Sequence, residues 1–130
     1  MQTLTIASSA REQMLDITKD VEKRLGESAR EAGICVLFVQ HTTCGLTVNE
    51  NADPDVQSDM LGFLKRLIPQ HEPHFKHGEQ NSDAHIKSSL VGTTVTVPFE
   101  NGKLALGRWQ AVYLCEFDGP RKRKVVMTIV

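Results

Sequence analysis

The sequence predicts an α+β fold in a single domain spanning residues 1–130. Apolar residues recur at helical spacing in three segments before residue 93. From there to the end, short strand-like runs follow one another and are joined by tight turns. Such runs form a largely antiparallel sheet on which the helices pack. No repeat, low-complexity tract or Pro/Ser-rich linker divides the chain, so we expect one unit.

The first third of the chain predicts a strand, a helix and a second strand. A short strand is expected around residues 3–7. Five apolar residues spaced by four, four, four and three then mark a helix face that ends at Gly33. These five residues are Ile17, Val21, Leu25, Ala29 and Ala32. The run ICVLFVQ at 34–40 is predicted to be a buried strand.

The middle of the chain contains the helix with the clearest signals. A strand at 46–49 leads to Asp53, the predicted N-cap, and to Pro54, the predicted first helical residue. One apolar face then continues to Pro69. Its residues are Val56, Met60, Phe63, Leu64 and Leu67.

A shorter helix and four strands complete the prediction. The helix is predicted to begin at the N-cap Ser82 and to end at Gly92. Strands are expected at 93–99, 103–107, 109–117 and 124–130. Asn101-Gly102 predicts a hairpin turn between the first two strands, and Asp118-Gly119-Pro120 predicts a turn before the last.

The composition argues against several classes of protein. With 40% hydrophobic residues, 24% charged residues and a net charge of −1, no global charge favours nucleic acid or a membrane surface. The longest apolar run, ICVLFV at 34–39, is too short to cross a bilayer. The three cysteines, Cys35, Cys44 and Cys115, lack CxxC spacing, which argues against a disulfide framework. We therefore expect a cytoplasmic protein.

The five histidines raise the question of a metal site. His41 follows a predicted buried strand, where it either projects into a cleft or is hydrogen-bonded as a structural residue. His71, His74, His77 and His85 lie together in the segment HEPHFKHGEQNSDAH. Imidazole is a common Zn²⁺ ligand, but this spacing matches no standard zinc motif. From spacing alone, a metal site and a solvated loop both stay open.

Other polar residues allow two interpretations each. Glu50 is a candidate general base or a partner that orients the imidazole of His41. Cys44 is either a thiolate nucleophile beside His41 or a small apolar core residue. The run RKRK at 121–124 either protects a sheet edge or contacts phosphate. Three polar residues share one side of the short helix and either line a pocket or face solvent: His85, Ser88 and Ser89.

Three motifs in order resemble the YjbQ-like family, often labelled secondary thiamine-phosphate synthases. They are HTTCGLTVNENADPDVQSDM, HGEQNSDAHIKSSLVGTTVTVP and GKLALGRWQAVYLCEFDGPRKR, and the likeness covers nearly the whole chain. The resemblance implies a compact β-sandwich-like α+β fold and a homotrimer. It also implies the joining of a pyrimidine pyrophosphate to a thiazole phosphate, which gives thiamine phosphate and pyrophosphate.

The resemblance also implies roles for individual residues. His41, His77 and His85 match the family pattern and are predicted to hold a divalent metal, Zn²⁺ or, with a pyrophosphate substrate, Mg²⁺. Glu50 and Asn49 are the predicted catalytic residues. The residues predicted to contact the substrate are Thr42, Lys87, Ser88 and Ser89 of the matched pattern, together with Arg123 of the basic run at 121–124.

One departure from the family pattern and one alternative function accompany these roles. Cys44 stands where the family commonly has Ser or Ala, and His71 and His74 lie in a more variable stretch. Besides the metal-assisted enzyme, a non-catalytic trimeric protein that binds a small anionic or phosphorylated metabolite stays open. Neither nucleic acid nor a membrane is an expected partner.

Overall fold

Eight strands form two antiparallel sheets in the computed structural model, which describes residues 1–130. The strands are β1 (Gln2–Ala7), β2 (Gln13–Asp16), β3 (Ala32–Val39), β4 (Cys44–Glu50), β5 (Thr94–Glu100), β6 (Lys103–Leu104), β7 (Gln110–Glu116) and β8 (Lys122–Ile129). The helices are α1 (Thr18–Gly26), α2 (Pro54–Leu67) and α3 (Ser82–Val91). One sheet has the order β1-β8-β3-β5-β6, and the other has the order β2-β7-β4. The predicted α+β fold is confirmed.

The larger hydrophobic core lies between the two sheets and α1. Leu37 of β3 and Met127 of β8 point inward from the five-stranded sheet, and Leu114 of β7 faces them. Val21 and Leu25 bury one side of α1 against the same core. Alternation along the strands thus gives the five-stranded sheet one buried and one outward face.

A smaller core lies on the other face of β7. Ala111, Tyr113 and Cys115 alternate with the residues that face the larger core, and they pack with Ala84 of α3 and Phe117. Partly buried residues of α2 and α3 cover this group. The three-stranded sheet is therefore the middle layer, with helices α2 and α3 outside it. No helix in the chain combines the length and the apolar character needed to cross a membrane.

The first helix is shorter than its apolar spacing predicts. It ends at Gly26, and Ala29 and Ala32 are exposed. Ala32 already belongs to β3, where it pairs with Glu100 of β5. Strand pairing takes the backbone that a longer helix would need, so the predicted end at Gly33 is wrong.

The second helix begins where the sequence predicts. The Asp53 carboxylate accepts a hydrogen bond from the Asp55 N–H at 2.9 Å, and Pro54 is the first helical residue. Its apolar face is only partly covered, because Phe63 and Leu67 are each 58% exposed.

Three smaller differences concern boundaries. Strand β2, QMLD, has no β-branched residue and was not predicted, but it pairs with β7 from Gln13 to Asp16. The N-cap of α3 is Asn81, one residue before the predicted Ser82. The strand predicted at 103–107 ends at Leu104, while the Asn101-Gly102 turn has the positive φ angles of 52° and 75° that its residues favour.

Candidate functional site

A polar cavity of about 340 Å³ lies at one end of the two sheets. Ten residues line it and none of them is apolar. Two connections build it: residues 40–43 run from β3 to β4, and residues 117–121 run from β7 to β8. Each connection crosses from one sheet to the other, and the Phe117 N–H donates to the Thr43 carbonyl at 3.2 Å. The start of α3 closes the third side with Asn81 and His85.

A buried ion pair supports the floor of this cavity. Arg123 of β8 is 2% exposed and donates to both carboxylate oxygens of Glu116 of β7, which is fully buried. Ser8 and the backbone N–H groups of Phe117 and Asp118 also donate to this carboxylate. Burial alone raises the pKa of Glu116, but the hydrogen bonds from Arg123 and Ser8 outweigh burial, so that pKa lies below its ordinary value.

The same arginine holds the first connection in place. Its Nη2 donates to the Thr43 hydroxyl at 2.8 Å and to the Thr43 carbonyl at 3.2 Å. The remaining nitrogen, Nη1, has no partner within the chain and is open to the cavity. The predicted substrate contact of Arg123 stays a prediction, and it can be made by Nη1 alone.

Arg121 is a cavity residue that the sequence analysis named only as part of the basic run at 121–124. It donates from Nε to the Asp118 carbonyl at 2.8 Å and from Nη2 to the Asp118 carboxylate at 3.0 Å, and Nη1 stays free. Two carboxylates, Asp118 and Glu79, also line the cavity. The Asp118 carboxylate is already bonded to Arg121, and the Glu79 side chain is 74% exposed. Each of the two arginines therefore has one donor nitrogen without a partner in the chain, and both residues line the cavity.

Asn81 is a cavity residue that sequence reasoning missed. Its Nδ2 donates to the Asp118 carboxylate at 2.8 Å, so Oδ1 must point away from that acceptor. Oδ1 is buried without a partner and makes no cap bond to the first turn of α3. An N-cap asparagine directly before an apolar-spaced helix was a signal that could have identified this position.

His41 and His85 line the cavity together, but His41 is already engaged. The Lys124 backbone N–H donates to His41 Nε2 at 2.8 Å. Burial and the nearby charge of Arg123 lower the pKa of His41. His41 is thus held in its neutral form beside Lys124 of β8.

His77 and His85 form a pair beside the cavity. Their ring centroids are 5.6 Å apart with the rings nearly perpendicular, and His77 Nε2 lies 3.7 Å from the Glu79 carboxylate. A metal site formed by His41, His77 and His85 stays a prediction. The arrangement of these histidines within one chain does not fit such a site. Nowhere do three His, Cys, Asp or Glu side chains converge closely enough to hold an ion, and the Lys124 N–H occupies Nε2 of His41.

Lys87 lies in a different and larger cavity. This cavity, of about 620 Å³, is bounded by α2, α3 and residues 11–12. Lys87 is 1% exposed and donates to Glu12 at 2.5 Å and to Asp83 at 2.9 Å, while Arg11 donates to both oxygens of Asp83. Burial raises the pKa of Asp83, but the bonds from Arg11 and Lys87 prevail and lower it overall. These charges satisfy one another, so we place the functional site at the smaller cavity.

The other predicted substrate contacts are divided between core and surface. The Ser88 hydroxyl donates to the Cys44 carbonyl at 2.6 Å and is buried, which gives it a structural partner. Ser89 is exposed and does not line the polar cavity. Thr42 is exposed and does line it, next to His41.

The predicted catalytic pair lies at the opposite end of strand β4. Cys44 begins this seven-residue strand and Glu50 ends it, which separates Glu50 from the cavity by about 20 Å at 3.3 Å per residue. There Asn49 donates to the Met60 sulfur at 3.4 Å, and the Glu50 carbonyl accepts from Gln57 and Tyr113. Neither side chain can reach His41 of the same chain. Any catalytic role for them in this site requires a second copy.

Cys44 has the environment of a core residue. It is fully buried, and burial raises the pKa of its thiol to about 11. A thiol at this pKa is almost entirely protonated at neutral pH, so it is a poor nucleophile.

Comparison with known proteins shows the relationship of the chain. The sequence model described as UPF0047 protein YjbQ-like matches residues 2–130. A UPF0047 protein of Methanocaldococcus jannaschii is 48% identical over 125 residues, covering 96% of this chain and 90% of the relative. The UPF0047 protein YugU of Bacillus subtilis is 47% identical over 123 residues, covering 95% and 93%.

Solved structures show the same relationship. A crystal structure of a YjbQ/UPF0047 family protein from Clostridium acetobutylicum superposes with a TM-score of 0.95 at 47% identity, and each chain is covered completely. A conserved hypothetical protein from Thermus thermophilus superposes with a TM-score of 0.94 at 46% identity, also over both full chains. The chain therefore belongs to the UPF0047 YjbQ-like family.

Proposed function

We propose that this chain is an enzyme that acts on a small phosphorylated metabolite bound in the polar cavity. The observation that carries the proposal is the pair of free guanidinium nitrogens, Nη1 of Arg121 and Nη1 of Arg123, at one cavity without apolar lining. Hydrogen bonds from guanidinium to phosphate oxygen are charge-assisted and about twice as strong as neutral ones. Phosphate is therefore the ligand group that these donors favour.

A neighbouring cavity offers room for the organic part of such a ligand. It has a volume of about 590 Å³ and contains the apolar side chains of Phe75 and Ile86 beside His74 and His77. His85 lines both cavities. A ligand with its phosphate in the polar cavity and its ring in this one would pass directly by the His85 imidazole.

The family resemblance supplies the specific reaction in the proposal. A pyrimidine pyrophosphate is joined to a thiazole phosphate: the bond from the pyrimidine to pyrophosphate breaks, a bond to the thiazole forms, and pyrophosphate leaves. Negative charge grows on the departing pyrophosphate, and donors already in position stabilise that charge. Arg121 is the residue to which we assign this role. The predicted Zn²⁺ or Mg²⁺ stays a separate prediction.

We also propose a homotrimer, as the resemblance implies. Its support within the chain is apolar surface that the fold leaves uncovered. Phe63 and Leu67 of α2 are each 58% exposed, and Leu90 of α3 is 64% exposed. A second copy packed on these helices would bury the apolar side chains. A cyclic trimer would bring different faces of neighbouring copies together.

The test of the proposed function is turnover by the purified protein. Supplied with the pyrimidine pyrophosphate and the thiazole phosphate, it should form thiamine phosphate and release pyrophosphate, both measured by mass spectrometry. Arg121→Gln should lower this rate about 100-fold, the usual effect of removing one such donor. Arg30→Gln is the matched control, because Arg30 is exposed and its side chain has no partner. Binding without turnover would favour the non-catalytic alternative, and no binding of either compound would refute both.

A further inference from the structure

The backbone of β8 fixes which nitrogen of His41 can act on a ligand. A neutral imidazole has one N–H and one lone pair. The Lys124 N–H donates to Nε2 at 2.8 Å and so uses that lone pair. The hydrogen of the ring must then be on Nδ1, which has no partner within the chain and is open to solvent at the cavity.

The ring is not free to give up this bond. Lys124 lies within β8 and pairs with Thr5 of β1, so its N–H cannot turn away. The carbonyl of Lys124 also accepts from the Gln40 N–H at 3.3 Å, which ties the connection 40–43 to the same residue. Thr43, at the other end of this connection, is held by Arg123.

The hydrogen bond from Lys124 requires an uncharged His41, because an imidazolium has no lone pair to accept it. Burial lowers its pKa most, and Arg123, Lys124 and Arg121 lower it further, while Glu116 alone opposes them. Among the other cavity groups, Asp118 is paired with Arg121, and Glu79 is exposed near His77. An uncharged ring with its Nε2 lone pair in use donates through Nδ1 and has no lone pair left for a metal ion.

We infer that His41 binds the phosphate of the ligand as a neutral hydrogen-bond donor through Nδ1, and that it is not a metal ligand. This inference rests on the proposed function for the ligand's chemistry, but its tautomer is a property of the protein alone. In this arrangement the Nδ1–H joins the free nitrogens of Arg121 and Arg123 as a third donor to the phosphate oxygens.

The first experiment measures the tautomer by NMR. A long-range ¹H–¹⁵N correlation spectrum of the ¹⁵N-labelled protein at neutral pH distinguishes protonated from unprotonated ring nitrogens, and His41→Asn identifies the His41 signals. We expect a protonated Nδ1 that inorganic phosphate shifts and that Zn²⁺ leaves unchanged. A protonated Nε2, or Zn²⁺ shifting the His41 nitrogens, would overturn the inference. The Nδ1–H form without any response to phosphate would refute the donor role and count against the proposed function.

The second experiment separates a donor from a metal ligand by substitution. His41→Ala removes the N–H and should weaken inorganic phosphate binding about tenfold. His41→Asn places an amide N–H near the position of Nδ1–H and should recover most of that loss, whereas a metal-ligand role would be lost in both variants. His71→Ala is the control, since His71 is exposed and lines neither the polar cavity nor the neighbouring cavity. Equal affinity of the alanine variant and the wild type would exclude the donor role even if phosphate binds.

Discussion

The substitution Glu116→Gln tests whether the buried ion pair beneath the cavity holds the two sheets together. It leaves the Arg123 guanidinium buried without its counter-charge. A glutamine also has a single acceptor oxygen for the donors that now share two: Ser8, Arg123 and the N–H groups of Phe117 and Asp118. Breaking one side of a buried pair costs about 3–5 kcal/mol, and the lost acceptor places this site toward the upper end.

Urea unfolding followed by circular dichroism measures this loss. With a slope of about 2 kcal/mol per molar urea, the midpoint should fall by about 2 M at equal protein concentration. The control is Glu27→Gln, which breaks the 3.3 Å pair of Arg24 and Glu27 at the surface, where the residues are 45% and 50% exposed. It should cost less than about 1 kcal/mol. A loss for Glu116→Gln as small as that of the control would show that this ion pair does not hold the two sheets together.

The pH dependence provides a second check on the same variant. The pKa of Glu116 is lower in the folded protein than in the unfolded chain. The wild-type pair therefore stabilises fully above the unfolded pKa of about 4.3, and this stabilisation is lost as pH falls through the folded pKa. The difference between wild type and Glu116→Gln should shrink below about pH 4.

Three further predictions follow from other parts of the molecule. Lys87→Met should lower the free energy of unfolding in urea by about 3–5 kcal/mol, because Lys87 pairs with Glu12 and Asp83 in the larger cavity. It should leave the affinity for phosphate unchanged. A loss of phosphate affinity in the folded variant would contradict this. Burial raises the pKa of Cys35 to about 11 and that of Cys115 to about 12. Both thiols should therefore resist iodoacetamide at neutral pH in the folded protein and react only after unfolding. Rapid labelling of the folded protein would contradict this. Light scattering at micromolar concentration should give three times the 14.5 kDa chain mass, and a mass of one chain would reject the trimer.

The elements that the sequence predicted well carry their signals locally. Asp53-Pro54 specifies the start of α2 by a side-chain cap and a fixed φ angle, and Asn101-Gly102 specifies a turn by tolerating positive φ. Strand β2 lacks such a signal, since its pairing with β7 decides its conformation. The end of α1 is likewise decided by the pairing of β3 with β5, because Ala32 pairs with Glu100 of β5. Since β5 is far from α1 in the sequence, the local apolar spacing could not show this end.

The candidate site was only partly predictable for a related reason. Residue type identified His41, His85 and Arg123 as candidates, and the cavity brings these three together. Closeness in sequence suggested that Glu50 lies near His41, but the seven-residue length of β4 places them at opposite ends. The engagement of His41 by a backbone N–H of β8 depends on a contact between residues 83 positions apart, and no sequence pattern encodes it.

Isothermal titration calorimetry with inorganic pyrophosphate measures whether the polar cavity binds phosphate through Arg121 and its neighbours. The wild type and Arg30→Gln should bind with equal affinity, and Arg121→Gln should bind about tenfold or more weakly, as expected for the loss of a charge-assisted hydrogen bond. Equal affinities for all three proteins, or no binding by the wild type, would contradict the assignment of this cavity.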